Sequence, residues 1–330
     1  MKKINIGLIG LGRIGRIHFH NCMRLKDARL AAVADTSKKA RRFAKSHGIK
    51  AVYEDYRELL EDPAVDCVVI AVPTFLHSEC ATIAAENRKH IFLEKPLARN
   101  VKEGKEIVSK VQKASVKIMV GYPLRFSIFS KVKNELDQGH LGDVVSAFAV
   151  NIWRGPFLSI SNAQGNIPLA VPDWWFNPEL TGGGALIDLG CHMINLLLWY
   201  FGDDIISVKS VLGHRYNMLF EDHAVCFIKF KQGISAIVNV GWYSLERLIK
   251  VDVFGTAKTA SIVAGPAKAS SHLLHTLGIK PLPEFASFYR ELDYFVKCII
   301  NDQNPIPSAE DALKDLEVIS LAYKNEIQRD

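Results

Sequence analysis

Short apolar segments alternate with helix-like segments along the first 120 residues of the chain. One apolar segment, Cys67–Val72, has no polar position, which is typical of a parallel strand covered by helices on both faces. Alternating strands and helices predict a doubly wound parallel sheet with right-handed crossovers. The strands are predicted at Ile4–Ile9, Leu30–Ala34, Ala51–Tyr53, Cys67–Val72, Ile91–Leu93 and Lys117–Val120. The helices are predicted near 14–25, 37–47, 55–61, 76–88 and 100–114.

From about residue 122 the predicted strands become longer and alternate in polarity, which indicates an antiparallel or mixed sheet with two different faces. These strands lie near 144–153, 205–213, 223–231, 234–243 and 248–255, and helices are predicted at 188–201, 285–300 and 309–327. We therefore expect an α/β protein of two domains. A doubly wound domain occupies residues 1–122, and an α+β domain built around one sheet occupies residues 123–330.

Composition and charge place the chain among ordinary globular proteins. With 330 residues, 48% of them hydrophobic and 23% charged, it has the size of about two domains. The net charge of +6 comes from 41 basic and 35 acidic residues spread along the chain. Because no block of like charge stands out, charge does not support a nucleic-acid partner.

Cysteine usage and the N-terminus favour a cytoplasmic protein. The six cysteines are far apart and form no CxxC pair, so we expect reduced thiols, no disulfide framework and no zinc site. The first residues superficially resemble a signal peptide, but Gly7 and Gly10 interrupt the apolar stretch and no small-residue cleavage site follows. No apolar run approaches the ~18 residues of a membrane span, so no membrane partner is expected.

The residues that follow the predicted parallel strands are the most chemically distinctive of the first half. In a doubly wound sheet the ligand lies beyond the carboxyl ends of the strands, where segments distant in sequence converge. We therefore predict a cofactor site there. Its predicted contacts are Gly10, Gly12, Arg13, Ile14, Gly15, Asp35, Thr36, Val72, Pro73, Thr74, His77, Glu94, Lys95 and Arg125.

Three glycines at the first strand–helix junction match a dinucleotide-binding fingerprint. Gly10 permits a tight turn, Gly12 lets the backbone approach a pyrophosphate, and Gly15 allows close helix–strand packing. The N-terminus of the following helix offers free N–H groups to phosphates. An isolated glycine-rich turn has the same spacing, but here a strand, a helix and an acid after the next strand are all in register.

The acid after the second strand, Asp35, bears on the choice of cofactor. Its carboxylate can accept hydrogen bonds from both ribose hydroxyls and would repel the 2′-phosphate of NADP. NAD is therefore favoured. Arg13, Lys38 and Lys39 could offset that repulsion, so NADP stays open as the less favoured alternative.

Hydride transfer from an alcohol to a nicotinamide needs a group that takes the hydroxyl proton, and Lys95 is the first candidate. It follows a predicted strand and precedes Pro96, whose ring favours an extended backbone at Lys95. Partial desolvation near a cationic nicotinamide would lower the pKa of this amine and suit it to acid–base work. The alternative is an ordinary surface lysine, and position alone does not choose between the two.

The second candidate is the pair of Asp188 and His192. Their i,i+4 spacing places both on one face of a helix, and the preceding Gly182–Gly184 brings the backbone close to another group. Asp188 could bind or orient a substrate hydroxyl while His192 exchanges its proton. The alternative is structural, with an N-terminal helix acid and a buried histidine, and the residues alone favour it.

Other side chains have candidate roles in substrate binding. Trp174, one of two adjacent tryptophans, could stack on a sugar ring, although such pairs are more often part of a core. Arg125 could hold an anionic or hydroxylated group, with a structural ion pair as the alternative. Tyr122 is predicted to contact the substrate. His18 and His20 show no HExxH pattern, so no metal is assigned.

These motifs resemble the glucose–fructose oxidoreductase/inositol dehydrogenase (Gfo/Idh/MocA) family. The matching motifs are the glycine fingerprint, Val72–Thr74 with His77, Glu94–Ala98 and Gly182–His192. Stretches at 199–202 and 285–308 fit as well, so the resemblance covers nearly the whole chain. It implies an N-terminal Rossmann domain and a C-terminal domain with an open-faced sheet that commonly forms the contact in a homodimer or homotetramer.

The resemblance also implies that Lys95 and His192 line the nicotinamide and the substrate carbinol, with Asp188 binding substrate. The chain departs from the family pattern at Asn195, where an acid is usual three residues after the histidine, and at Arg88, near which a glycine is usual. The first departure is expected to lie near the substrate, and the second to be a loop change.

We therefore expect an NAD-dependent dehydrogenase that oxidises a secondary hydroxyl of a sugar, a cyclitol or a sugar nucleotide. Alternatives are an NADPH-dependent ketone, aldehyde or imine reductase and a dihydrodiol-type dehydrogenase. A non-catalytic NAD-binding sensor is an alternative of another class, although a sensor need not keep Lys95, Asp188 and His192. The expected partners are a small-molecule substrate and further copies of the chain.

Overall fold

The computed structural model describes residues 3–156, 171–216, 218–264 and 283–327. The chain forms two compact units, which comprise residues 1–126 with 283–313, and residues 127–282 with 314–330. The first boundary lies shortly after the predicted division at residue 122. The predicted continuous domain at 123–330 differs from the structure, because residues 283–313 belong to the first unit.

The first unit contains a six-stranded parallel sheet. Its strands are β1 (Ile4–Ile9), β2 (Ala28–Ala34), β3 (Ala51–Tyr53), β4 (Cys67–Ile70), β5 (His90–Glu94) and β6 (Ile118–Gly121). The strand order is β3-β2-β1-β4-β5-β6, with every neighbouring pair parallel. This order confirms the predicted doubly wound sheet and reverses between β1 and β4, which is where such sheets bind ligands.

Helices connect these strands, and short polar side chains begin several of them. They are α1 (Arg13–Cys22), α2 (Lys38–Ser46), α3 (Tyr56–Glu61), α4 (His77–Glu86) and α5 (Val101–Ala114). The side chains of Ser37, Asp55 and Asn100 accept backbone N–H groups at the starts of α2, α3 and α5. The N-cap of α1 is Gly12, which has no side chain to fill this role.

The second unit contains a mixed sheet of six strands. They are β7 (Val144–Ile152), β8 (Ile205–Gly213), β9 (His223–Phe230), β10 (Ser235–Gly241), β11 (Leu248–Gly255) and β12 (Thr259–Ala264). Their order is β12-β11-β7-β10-β9-β8, and only the β7–β10 pair is parallel among these strands. Burial alternates along β9, where Ala224, Cys226 and Ile228 face the core. The predicted mixed sheet is therefore confirmed.

The second unit also contains the helices α6 (Ser130–Asp137), α7 (Pro178–Thr181) and α8 (Cys191–Phe201). Of these, α6 contacts β12, and α8 contacts β7 and β10. By length and composition alone, Pro178–Phe201 could cross a membrane, but 83% of its apolar window is buried inside the protein, as in a core helix.

Two helices complete the described chain. In α9 (Pro283–Ile300), Leu292, Phe295 and Val296 are buried in the core of the first unit, and the rings of Phe295 and Phe92 meet edge to face with centroids 5.8 Å apart. This packing explains why α9 belongs to the first unit. The last of the three boundaries between the units, after Leu313, falls within α10 (Ala309–Lys324).

Candidate active site

The loop between β1 and α1 is shaped by its three glycines. Gly10 has a φ of +91°, and a Cβ atom there would lie 2.5 Å from a backbone oxygen after β4. A Cβ at Gly15 would overlap the carbonyl oxygen of Gly10. Gly12 is exposed, and a Cβ there would meet no described atom within 4 Å. This open space adjoins the first turn of α1, where Arg13 is exposed and Ile14 half-buried, and it suits a pyrophosphate.

Asp35 joins the end of β2 to the glycine loop. Its Oδ2 accepts the N–H of Leu11 at 2.7 Å, and its Oδ1 accepts the N–H of Ser37 at 2.7 Å. The side chain is half-buried beside the exposed Thr36. Because a carboxylate can accept about four hydrogen bonds, Asp35 keeps acceptor positions for ribose hydroxyls.

The loop after β4 is tied to the loop after β5 through His77. Val72, Pro73 and Thr74 are half-buried, but His77 is only 1% exposed. Its Nδ1 lies 2.8 Å from the oxygen of Pro96, and its Nε2 lies 3.1 Å from the oxygen of Val72. Burial lowers the pKa of His77. His77 thus lies between backbone oxygens of the two loops, and its predicted cofactor contact stays a prediction.

Lys95 follows β5 on a backbone that is anchored from within the first unit. Glu94 is 6% exposed, and its Oε1 lies 2.6 Å from Nε2 of the fully buried His18. The other carboxyl oxygen of Glu94 accepts the N–H of Lys95 at 3.2 Å. Lys95 itself is half-buried, and its peptide bond to Pro96 is cis. Each carboxyl oxygen of Glu94 thus has one partner, so Glu94 supports Lys95, and its predicted cofactor contact stays a prediction.

Two further predicted residues follow β6. Tyr122 is 1% exposed, and Arg125, in the 3₁₀ turn Pro123–Phe126, is 9% exposed. The N–H of Arg125 donates to the oxygen of Tyr122 at 3.1 Å. The predicted contacts of Tyr122 with substrate and of Arg125 with cofactor stay predictions.

In the second unit, Asp188 and His192 are the accessible polar positions of an otherwise buried segment. Asp188 lies in the π-helical turn Leu186–Gly190, and His192 lies in the first turn of α8. Both are half-buried, whereas every other residue from 185 to 198 is buried. Their shared exposure agrees with the predicted common face. The π-helical turn itself was not predicted, and such turns frequently occur at functional sites.

Glu221 and Tyr323 contact the glycine run before Asp188. Neither residue was predicted from the sequence. The Glu221 carboxylate is 2% exposed and accepts backbone N–H groups of this run, while the Tyr323 hydroxyl donates to the same carboxyl oxygen at 2.8 Å. The glycine run predicted a close approach, but its partners lie far along the chain and no local pattern marks them.

Trp174 lies half-buried in the 3₁₀ turn Asp173–Phe176. The adjacent Trp175 packs against Trp242, with ring centroids 4.9 Å apart. Trp175 therefore contributes to packing, and the predicted sugar contact of Trp174 stays a prediction.

The structure gives physical reasons for both departures from the family pattern. Nδ2 of Asn195 donates to Oδ2 of Asp315 at 2.7 Å, and both side chains are buried. Residue 195 therefore complements a buried carboxylate, and the expectation that it lies near the substrate finds no support in these contacts. Arg88 has a φ of +56°, which is the conformation that favours glycine.

In the described ranges, the side chains form neither a metal-binding group nor a disulfide. No group of three or more His, Cys, Asp or Glu side chains there is placed to hold a metal ion. The six cysteines are buried and free.

Sequence profiles of one family match both parts of the chain. Residues 4–122 match the oxidoreductase family with an NAD-binding Rossmann fold, and residues 129–261 match the Gfo/Idh/MocA C-terminal domain. The chain belongs to the Gfo/Idh/MocA family. As a member, it is an oxidoreductase with an NAD-binding Rossmann domain, and NAD is its cofactor. The open space above Gly12 and the carboxylate of Asp35 fit this cofactor.

Named relatives of this Gfo/Idh/MocA protein include inositol dehydrogenases. It is 29% identical to scyllo-inositol 2-dehydrogenase (NAD⁺) of Bacillus subtilis, with 96% of this chain and 92% of the relative covered. It is 27% identical to myo-inositol 2-dehydrogenase of Thermotoga maritima, with 98% and 96% covered. The crystal structure of Lactobacillus casei scyllo-inositol dehydrogenase with NAD(H) and scyllo-inositol shares the fold, with a TM-score of 0.81 at 22% identity over 98% of this chain and 97% of that one.

Proposed function

We propose that this Gfo/Idh/MocA protein oxidises a secondary hydroxyl of a sugar, a cyclitol or a sugar nucleotide with NAD. The observation that supports this most directly is the accessible pair of Asp188 and His192 on an otherwise buried helical segment. An acid and an imidazole in this arrangement can bind a hydroxyl and move its proton. The names of the relatives, which act on inositols, point to the same class of substrate.

The proposed mechanism assigns a role to Asp188, His192 and Lys95. Asp188 accepts a hydrogen bond from the substrate hydroxyl and orients it, and His192 shares the transfer of its proton because imidazole titrates near neutral pH. Lys95, whose backbone N–H is bound by Glu94, shares that transfer and stabilises the developing negative oxygen. NAD, when bound, takes up the hydride from the carbinol carbon.

A turnover screen tests this proposal. The purified protein is mixed with NAD and, in turn, with scyllo-inositol, myo-inositol, simple sugars and UDP-sugars, and NADH is followed by its absorbance. We expect turnover with at least one of them. Tight NAD binding without turnover on any member would favour the sensor, and tighter binding of NADP than of NAD would contradict the cofactor preference assigned to Asp35.

A substitution at Lys95 tests its role separately. Lys95→Met is expected to lower kcat by about 10²- to 10⁴-fold on the substrate found in the screen, because the proton-transfer group is removed. The NAD dissociation constant should change by less than about twofold. Lys113→Met, which removes an exposed lysine from α5, is the matched control. Near-normal kcat in Lys95→Met would refute the role.

Assembly and location complete the proposal. Val211, Phe227, Phe254 and Val263 are exposed apolar side chains on strands of the second sheet, and such surface is typical of contacts between protein chains. They support a homodimer or homotetramer formed through this sheet. The six free, buried cysteines support a cytoplasmic location.

A further inference from the structure

The helical segment that carries Asp188 begins with three consecutive backbone N–H groups, and all three bind Glu221. The N–H groups of Gly184 and Leu186 donate to Oε1 of Glu221 at 3.1 and 2.9 Å. The N–H between them, of Ala185, donates to the backbone oxygen of Glu221 at 3.1 Å. The first N–H groups of a helix have no partner within it, so one residue satisfies the start of this segment.

Tyr323 of α10 completes the arrangement. Its hydroxyl donates to the same Oε1 of Glu221 at 2.8 Å, so three donors converge on one buried oxygen. Burial is the largest cause that raises the pKa of Glu221 and the pKa of Tyr323. The buried Glu221 and the half-buried Tyr323 thus orient one another, and they are here called the Glu221–Tyr323 pair.

The glycine run packs so closely against this pair that no side chain would fit between them. A Cβ atom at Gly183 would overlap the hydroxyl of Tyr323, and one at Gly184 would overlap the backbone oxygen of Glu221. Gly183 also has a φ of +150°. The close approach predicted from the glycines is thus an approach to the Glu221–Tyr323 pair.

The constraint reaches Asp188 within one turn. The oxygen of Gly184, whose N–H is bound by Glu221, accepts the N–H of Asp188 at 3.1 Å. The π-helical turn Leu186–Gly190 then leads directly into α8 and His192. Because a wider turn changes the direction of every following side chain, the fixed start of the segment determines where Asp188 and His192 point.

We propose that Glu221 and Tyr323 are positioning residues that orient Asp188 and His192 for proton transfer. This rests on the proposed function of Asp188 and His192. Neither residue of the Glu221–Tyr323 pair needs to touch the substrate, since both act through the backbone of residues 183–188.

Four variants test the proposal with scyllo-inositol, or the best substrate of the screen, and NAD. Glu221→Ala and Tyr323→Phe should lower kcat at least about tenfold, because small misplacements of reacting groups have large effects on rate. Glu221→Gln, which keeps an acceptor oxygen, should recover part of the loss. Tyr200→Phe removes another buried tyrosine hydrogen bond of the second unit, to the oxygen of Phe129 at 2.8 Å, and should keep kcat within about twofold.

Amide hydrogen exchange in the protein without substrate gives a second readout. In Glu221→Gln and Tyr323→Phe, exchange should become faster at residues 184–192 and stay unchanged in Tyr200→Phe at those positions. The NAD dissociation constant should be unchanged in all variants. Wild-type kcat and KM in Glu221→Ala and Tyr323→Phe, or unchanged exchange at 184–192, would overturn the proposal.

Asp188→Asn separates the two possible failures. If Asp188→Asn loses turnover while the Glu221 and Tyr323 variants keep it, the positioning role is wrong and the proposed function stands. If Asp188→Asn keeps normal turnover, the role of Asp188 is wrong and the positioning role falls with it, whereas absence of turnover in the wild-type protein on every member of the screen would show that the proposed function itself is wrong.

Discussion

At the scale of the residue, the pair of Asn195 and Asp315 shows how strictly a buried carboxylate specifies its neighbour. Nδ2 of Asn195 donates to Oδ2 of Asp315 at 2.7 Å in the interior of the second unit. An acid at residue 195 would place two carboxyl groups at this distance, and one of them would have to take up a proton or lose the contact. The amide of Asn195 is therefore explained by its buried partner, the carboxylate of Asp315.

Asn195→Asp is expected to lower the free energy of unfolding by about 3 kcal/mol at neutral pH, because a buried charge loses its donor. Urea unfolding measures the change. Adding Asp315→Asn exchanges donor and acceptor, so the double variant should regain about half of the loss or more. Asn301→Asp, at an exposed position, is the control and should have little effect. Wild-type stability of Asn195→Asp at pH 7 would contradict the role of this hydrogen bond.

The candidate site could be predicted where its chemistry is local in sequence. Gly10, Gly12 and Gly15 lie within six residues of one another, and Asp188 and His192 lie four positions apart. The partners that orient them could not be predicted, because contacts such as those of His18 with Glu94 and of Glu221 with the glycine run join residues far apart in the chain. Only the folded chain brings those groups together.

At the scale of the element, α9 places an acid in the core of the first unit. Glu291 is fully buried, and neither of its carboxyl oxygens has a hydrogen-bond partner among the described residues. Burial, and then the charge of Glu94, raise the pKa of Glu291 well above its ordinary value of 4.5. The folded protein therefore keeps a proton on Glu291 at pH values where the unfolded chain releases it.

The sign of the resulting pH dependence follows from this difference. Above pH 4.5, the contribution of Glu291 to the free energy of unfolding falls by up to about 1.4 kcal/mol per pH unit until its raised pKa is passed. Glu291→Gln removes this loss. We expect the stability of Glu291→Gln relative to wild type to rise steadily from pH 5 upward, as measured by urea unfolding.

Glu106→Gln, an exposed acid of α5, serves as the control for this measurement. Its difference from wild type should stay nearly constant over the same pH range, because this variant leaves the buried Glu291 in place. A flat difference for Glu291→Gln would show that Glu291 is ionised in the folded protein.

Most strands could be predicted from apolar patterns, but β12 and the short helices α6 and α7 could not. β12 is an edge strand that pairs only with β11 in the described sheet, and its exposed positions alternate with half-buried ones. α6 has eight residues and buries only Val132 among them. Elements that bury so little carry a weak hydrophobic pattern, because little of their sequence is constrained by packing.

At the scale of the whole molecule, the first unit is built from two separate stretches of chain. The amphipathic pattern of α9 predicts a helix, but it does not say which sheet the apolar face covers. Residues 283–300 were therefore predicted as part of the second domain. Their buried Leu292, Phe295 and Val296 belong to the core around β1, β4 and β5.

This packing predicts that a substitution in α9 destabilises the first unit, although α9 lies far along the chain from the sheet of that unit. Phe295→Ala should lower the free energy of unfolding of the first unit by about 3–5 kcal/mol, because it leaves a cavity beside Phe92. The rise in Tm on adding NAD reports on this unit. Without NAD, the Tm of Phe295→Ala should be lower than that of the wild-type protein. Ile300→Ala, at an exposed position at the end of α9, is the control. An unchanged Tm in Phe295→Ala would contradict the assignment of α9 to this core.

The discontinuous first unit has a consequence for synthesis on the ribosome. After residue 126 has been made, translation at 5–20 residues per second takes roughly 10 to 30 seconds to reach the end of α9. During this interval the nascent sheet lacks Leu292, Phe295 and Val296, and its apolar face is open to chaperones. The first unit is thus begun first and completed only after the second unit has been almost entirely translated.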